Sequence, residues 1–126
     1  MPSTSVNRPY AVLVVEDDAI LRLHALDIVE EAGFVALEAK NADEAIVILE
    51  SRTDIALLFT DVNMPGSMDG VKLAHAVRNR WPPIKIVVVS GHVQLDESDL
   101  PTNSRFFGKP FEVQKMVAEL RGLISD

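Results

Sequence analysis

The sequence predicts one doubly wound α/β sandwich, and three observations carry the prediction. Near-continuous apolar runs recur along the chain, each followed at once by polar residues or glycine. Between them lie segments with the roughly 3.6-residue period of helices. Runs and segments alternate five times, a pattern that fits a parallel sheet buried under helices on both faces.

Ala11-Val12-Leu13-Val14-Val15 is the first strand, and Leu21, Ala25, Ile28 and Ala32 stripe the helix that follows, stopped by Gly33. Residues Phe34 to Ala39 form the second strand, supported more by regular spacing than by composition. Asn41 is the N-cap of a second helix striped by Ala42, Ala45, Ile46 and Leu49. Ile55-Ala56-Leu57-Leu58-Phe59 is the third strand, and Leu73, Ala74 and Val77 stripe the third helix. Trp81-Pro82-Pro83 ends that helix, because a residue before proline is pushed out of the helical region. Ile84-Lys85-Ile86-Val87-Val88-Val89 is the fourth strand and Arg105 to Phe107 the fifth. A last helix is striped by Val113, Met116, Val117, Leu120 and Ile124. With right-handed crossovers the order becomes 2-1-3-4-5, the flavodoxin-like arrangement.

One stretch departs from the rhythm. Gln94-Leu95-Asp96-Glu97-Ser98-Asp99-Leu100 is acidic, has little apolar stripe and runs into Pro101, so the fourth helix is expected to be short, frayed or absent. Few buried contacts are expected from Gly91 to Ser104. Residues 1–9 read as a loose tail, and 10–126 as the domain.

The chain has 126 residues, 48% of them apolar and 25% charged, which suits one self-sufficient core. It holds no cysteine, which excludes a disulfide framework, zinc-thiolate sites and cysteine nucleophiles. A formal charge of −7 disfavours binding to nucleic acid. No stretch approaches the ~18 apolar residues of a membrane span, and the first residues lack a signal-peptide pattern, so a cytoplasmic protein is expected.

Chemistry gathers where strands end, since open parallel sheets bind ligands beyond their carboxyl edge, at the switch between the first and third strands. The first strand runs into Glu16-Asp17-Asp18 and the third into Thr60-Asp61-Val62-Asn63-Met64-Pro65-Gly66. Adjacent strands lie about 4.8 Å apart, which places Asp17 and Asp61 in one small pocket. Two carboxylates about 4 Å apart repel by roughly 4 kcal/mol at an effective dielectric near 20, and a cation reverses that cost. An all-oxygen set with positions left for water and phosphate suits Mg²⁺. Asp18 or Asp17 also fits the N-cap of the first helix. The fourth strand ends at Ser90-Gly91 and the fifth at Lys109-Pro110. Acid, acid, hydroxyl and ammonium together match phosphoryl transfer to a carboxylate.

Val15-Glu16-Asp17-Asp18, Asp61-Val62-Asn63-Met64-Pro65-Gly66, Val89-Ser90-Gly91 and Lys109-Pro110-Phe111 resemble, in order and spacing, the receiver domain of two-component response regulators, from about residue 9 to 124. That resemblance implies that Asp61 accepts the phosphoryl group. Glu16 and Asp17 would hold Mg²⁺ beside it, with the backbone carbonyl of Asn63 as another ligand. Ser90 would follow the phosphoryl group, Lys109 would pair with it, and the Lys109-Pro110 bond would often be cis. Phe106 falls at the switch position; lacking a hydroxyl, it could respond through packing alone. The donor would be a sensor histidine kinase or a histidine phosphotransfer protein, docked on the first helix, where Leu23 and Leu26 are expected on the exposed face. No output domain is expected after the last helix, so output would pass through a downstream protein partner.

A rival reading is a small haloacid-dehalogenase-like Mg²⁺ phosphatase, but that chemistry needs a second aspartate where Asn63 stands. His24, His75 and His92 are scattered and expected to be surface residues. Met64, Met68 and Met116 are expected in packing roles. Neither a Gly-x-Gly-x-x-Gly turn nor a Walker lysine loop is present, and the glycine of a hydrolase elbow is missing before Ser90.

Overall fold

The computed structural model describes residues 10–91 and 96–125. The expected tail, His92 and Gln94-Leu95 lie outside the described residues. Five strands, β1 (Ala11–Val15), β2 (Val35–Ala39), β3 (Ile55–Asp61), β4 (Lys85–Ser90) and β5 (Ser104–Gly108), alternate with helices α1 (Ala19–Glu31), α2 (Ala42–Ser51), α3 (Gly70–Arg80) and α4 (Val113–Ser125). All strand pairs are parallel, in the order β2-β1-β3-β4-β5.

The central strands are apolar on both sides because both sides are covered. Leu13, Leu58 and Val88 point to the layer of α2 and α3, where Leu49, Leu73 and Val77 meet them. Val12, Val14, Leu57 and Val87 point to the layer of α1 and α4, against Ile28, Val29, Met116 and Leu120. Asn41 caps α2 through the Glu44 amide at 2.9 Å, as expected, and Asp18 caps α1 through the amides of Ile20 and Leu21, both at 2.9 Å. Gly33 leaves α1 at φ +98°, a left-handed turn that costs glycine little.

Helix α1 corrects two expectations. Leu21 is exposed rather than on the core stripe, and Leu26 is half-buried against the α1–α4 core rather than exposed. The buried stripe is Ala25, Ile28, Val29 and Ala32. Periodicity alone assigns Leu21 to that stripe, but the first turn overhangs the carboxyl edge of the sheet, where Leu21 lines a cavity instead of a strand. Strand β3 also runs two residues further than its apolar run, so Asp61 is the last strand residue and not part of a loop.

Between β4 and β5 the described residues hold one 3-10 turn, Glu97–Asp99, and no α-helix. The expectation of few buried contacts there fails at its C-terminal half. Leu100 and Pro101 are buried, the His75 ring nitrogen Nε2 lies 2.9 Å from the Asp99 carbonyl, and Arg78 donates to the Thr102 carbonyl at 3.0 Å. Two polar side chains of α3 thereby hold what an apolar helix stripe would otherwise anchor.

Leu58 is fully buried at the centre of the sheet, paired with Leu13 and Ile86. Leu58→Ala should lower the unfolding free energy by about 2–5 kcal/mol, measured by urea denaturation.

Candidate functional site

The first and third strands deliver their acids to the same edge. Glu16 follows β1 directly and is buried; Asp61 ends β3 and is buried; Asp17 is exposed. One carboxylate oxygen from each can be chosen so that all three lie within 4.8 Å of one another. Lys109, just beyond β5, reaches in with its Nζ 3.2 Å from Glu16 Oε1 and 3.5 Å from Asp61 Oδ2. Three acids therefore face one ammonium. The Glu16 carboxyl is held above the ordinary carboxylate range, chiefly by burial and further by the Asp61 charge, against the opposing pull of the Asp18 amide and Lys109. A hard cation bound by all three acids fits this oxygen-only donor set and would relieve the crowding.

The backbone around Asp61 is closely built. Thr60 Oγ1 donates to the Asp61 carbonyl at 2.9 Å, and the Val62 amide donates to Val89 at 3.0 Å. Gly70 begins α3 with its amide on the Val62 carbonyl at 2.9 Å, and a Cβ there would collide with the Asp61 carbonyl. Gly70 belongs to none of the motifs at the strand ends. A glycine in the first turn of a helix, where it weakens the helix unless packing requires it, was the available signal.

Ser90 ends β4, is buried, and accepts the Lys109 amide through its carbonyl at 2.9 Å, so the backbones at the ends of β4 and β5 stay joined. The Lys109-Pro110 peptide is cis. Asn63 is exposed on the loop after β3. Phe106 is not brought to the acids; it packs half-buried against the α2–α3 core, paired with Val88. His24 and His75 are exposed, in keeping with their expected surface positions, although His24 lines the cavity above the site. That cavity, of about 480 Å³, runs from Asp61 and Lys109 to an apolar wall of Leu21, Ala25, Phe59 and Phe111. Its rings Phe59 and Phe111 meet edge to face at 6.3 Å.

Two predictions follow from this construction. Gly70→Ala should cost about 1–3 kcal/mol in urea unfolding, because either α3 or the Asp61 backbone must shift. For Glu16, a folded pKa above the unfolded one means stability that is present below the unfolded value and lost as pH rises through the folded value. Unfolding of metal-free protein between about pH 4 and pH 7 should therefore show Glu16→Gln gaining on the unsubstituted protein as pH rises. A constant difference would contradict the burial effect.

Comparison with known proteins agrees with this geometry. Residues 12–121 match the response regulator receiver domain family. The response regulator receiver protein CpdR of Brucella abortus is 29% identical over 116 residues, covering 90% of this chain and 95% of that protein. The sensor kinase CckA of the same organism is 28% identical over 126 residues, but this chain spans only 13% of its length. A crystal structure of a response regulator receiver protein from Sinorhizobium medicae superposes with a TM-score of 0.86 at 28% identity, covering 94% of this chain and 96% of that one. The phosphatase alternative gains no support, and Asn63 supplies no acid where that chemistry needs one. With five parallel strands in the order 2-1-3-4-5 and an acidic cluster at their carboxyl edge, the chain belongs to the response regulator receiver domain family, the phosphoacceptor modules of two-component signalling.

Proposed function

We propose that Asp61 is the phosphoacceptor, taking a phosphoryl group from the phosphohistidine of a sensor histidine kinase or histidine phosphotransfer protein in a Mg²⁺-dependent reaction. The observation that carries this reading is the buried Asp61 carboxylate, 3.5 Å from Lys109 and within 4.8 Å of ligand atoms of both Glu16 and Asp17. Glu16, Asp17, Asp61 and the backbone carbonyl of Asn63 would hold Mg²⁺. When bound, the ion neutralises charge on the phosphoryl oxygens.

A carboxylate oxygen of Asp61 attacks phosphorus; the bond to the histidine nitrogen breaks, and its electron pair stays on the imidazole. Lys109, already at the carboxylate, takes a phosphoryl oxygen as its partner, and the Ser90 hydroxyl takes another. Hydrolysis of the resulting acyl phosphate returns Asp61 to its carboxylate. Removing Lys109 from Glu16 and Asp61 changes the tie between the loops after β1, β3 and β5, which is how charge at the site becomes a change of shape. Phe106, with no hydroxyl, answers that change through packing against the α2–α3 core.

The donor docks over α1, where Ile20 is 79% and Leu23 60% exposed, on the helix whose Leu21 and His24 line the cavity that opens on Asp61. Leu26 leaves this surface, since it packs inward. Output goes to a downstream protein partner rather than to nucleic acid, in line with the −7 charge. A cytoplasmic site of action fits a phosphohistidine donor; no helix among the described residues is long and apolar enough to cross a membrane.

Incubation with acetyl phosphate or phosphoramidate and Mg²⁺ should add one phosphoryl group to the intact mass, and Asp61→Asn should add none. Equal phosphorylation of the variant would move the acceptor elsewhere.

A further inference from the structure

We infer that Arg22 is a positioning residue for the metal site: its guanidinium fixes the backbone on both sides of Asp17 and thereby aims that carboxylate at Asp61. The inference rests on the reading of Glu16, Asp17 and Asp61 as the metal-holding acids.

Side chains of a helix lean toward its N-terminus, so a long one in the first turns of α1 reaches back over the residues that precede the helix. Arg22 does so. One terminal nitrogen donates to the Glu16 carbonyl at 3.0 Å and, at 3.5 Å, to the Asp17 carbonyl. Its Nε donates to Glu38 Oε1 on β2 at 2.8 Å. The arginine side chain is only 13% exposed, although Glu38 is 58% exposed. The planar fork is thus enclosed, anchored on a strand at one edge and pressed against the loop at the other.

The two carbonyls belong to the peptide groups on either side of the Asp17 α-carbon. Holding both carbonyls restrains φ and ψ of Asp17, and with them the direction in which its Cα–Cβ bond leaves the backbone toward Asp61. Neither of the other acids needs this help: Glu16 is buried, with its carboxylate on the Asp18 amide at 3.1 Å, and Asp61 sits in a strand. Asp17 is exposed, so packing does not orient it.

Charge and positioning give opposite signs. By charge alone a guanidinium beside the pocket repels a cation, and its removal tightens metal binding. By positioning, its removal frees Asp17 and weakens binding, by about tenfold or more if it behaves as other groups that orient metal ligands.

Calorimetric titration of Mg²⁺ into the full chain separates the two. Arg22→Met, which keeps the aliphatic stem, should bind Mg²⁺ about tenfold or more weakly. Arg22→Lys should recover part of the loss, since one ammonium can still donate to a loop carbonyl but lacks the fork that reaches both carbonyls and Glu38. Glu38→Gln, which cuts the ion pair and leaves the carbonyl contacts, should lose less than Arg22→Met. Far-UV circular dichroism and the unfolding midpoint check that each variant folds. Unchanged or tighter Mg²⁺ binding in Arg22→Met overturns the inference, as does a loss in Glu38→Gln as large as that in Arg22→Met. Should Arg22→Met fail to fold, Arg22→Lys with the affinity of the unsubstituted protein overturns it. An unsubstituted protein that takes up no Mg²⁺ removes the metal reading itself, a different and separately visible failure.

Discussion

Three carboxylates crowded at one edge of a parallel sheet, with the Lys109 ammonium among them, are the arrangement on which the rest of this molecule turns. Glu16, Asp17 and Asp61 approach within 4.8 Å, and Lys109 touches two of them. Such a cluster is costly unless the surrounding fold holds its members in place and leaves room for a cation. The buried strands provide the first condition. β1 and β3 are adjacent and parallel, so their ends carry Glu16 and Asp61 forward side by side, and neither strand can retreat without exposing a largely buried apolar run.

The supporting contacts are distributed over every layer. Helix α1 contributes the Asp18 cap below the loop and the Arg22 fork beside it. Helix α3 contributes Gly70, whose missing side chain lets the first turn lie against the Asp61 carbonyl. Strands β4 and β5 contribute Ser90 and Lys109, joined through a backbone hydrogen bond of 2.9 Å. Because the ammonium is held by the same carboxylates that would bind metal and phosphoryl group, any new charge at Asp61 competes for it. A local electrostatic event therefore reaches the loops after three strands at once.

The connection between β4 and β5 shows a different economy. Where an apolar helix stripe is thin, His75 and Arg78 of α3 take hold of the carbonyls of Asp99 and Thr102, and Leu100 with Pro101 fills the space beneath. Hydrogen bonds from a neighbouring helix replace part of the packing that an amphipathic helix would supply. That segment is consequently bound to α3, whose N-terminus abuts Asp61, as well as to the strands it joins.

The strand order, the caps at Asn41 and Gly33, and the meeting of Glu16, Asp17, Asp61 and Lys109 at one edge of the sheet were legible in the sequence. Each rests on short-range rules: continuous apolar runs mark strands buried on both faces, alternation with helices forces parallel pairing, and parallel strands bring all their carboxyl ends to one edge. Tertiary structure alone decided the rest. Whether Leu21 or Leu26 turns inward depends on where the sheet stops beneath α1, which helical period does not encode. The anchoring of residues 99–102 comes from side chains 24 residues earlier in the chain, and the need for glycine at position 70 comes from a strand that ends nine residues before it. Arg22 reads in sequence as one more helical surface charge. Only the packing of α1 against β2 encloses its guanidinium and turns it to Glu38 and the carbonyls of the acidic loop. Such facts depend on distances between elements, and those are set by the whole core rather than by any one segment of the chain.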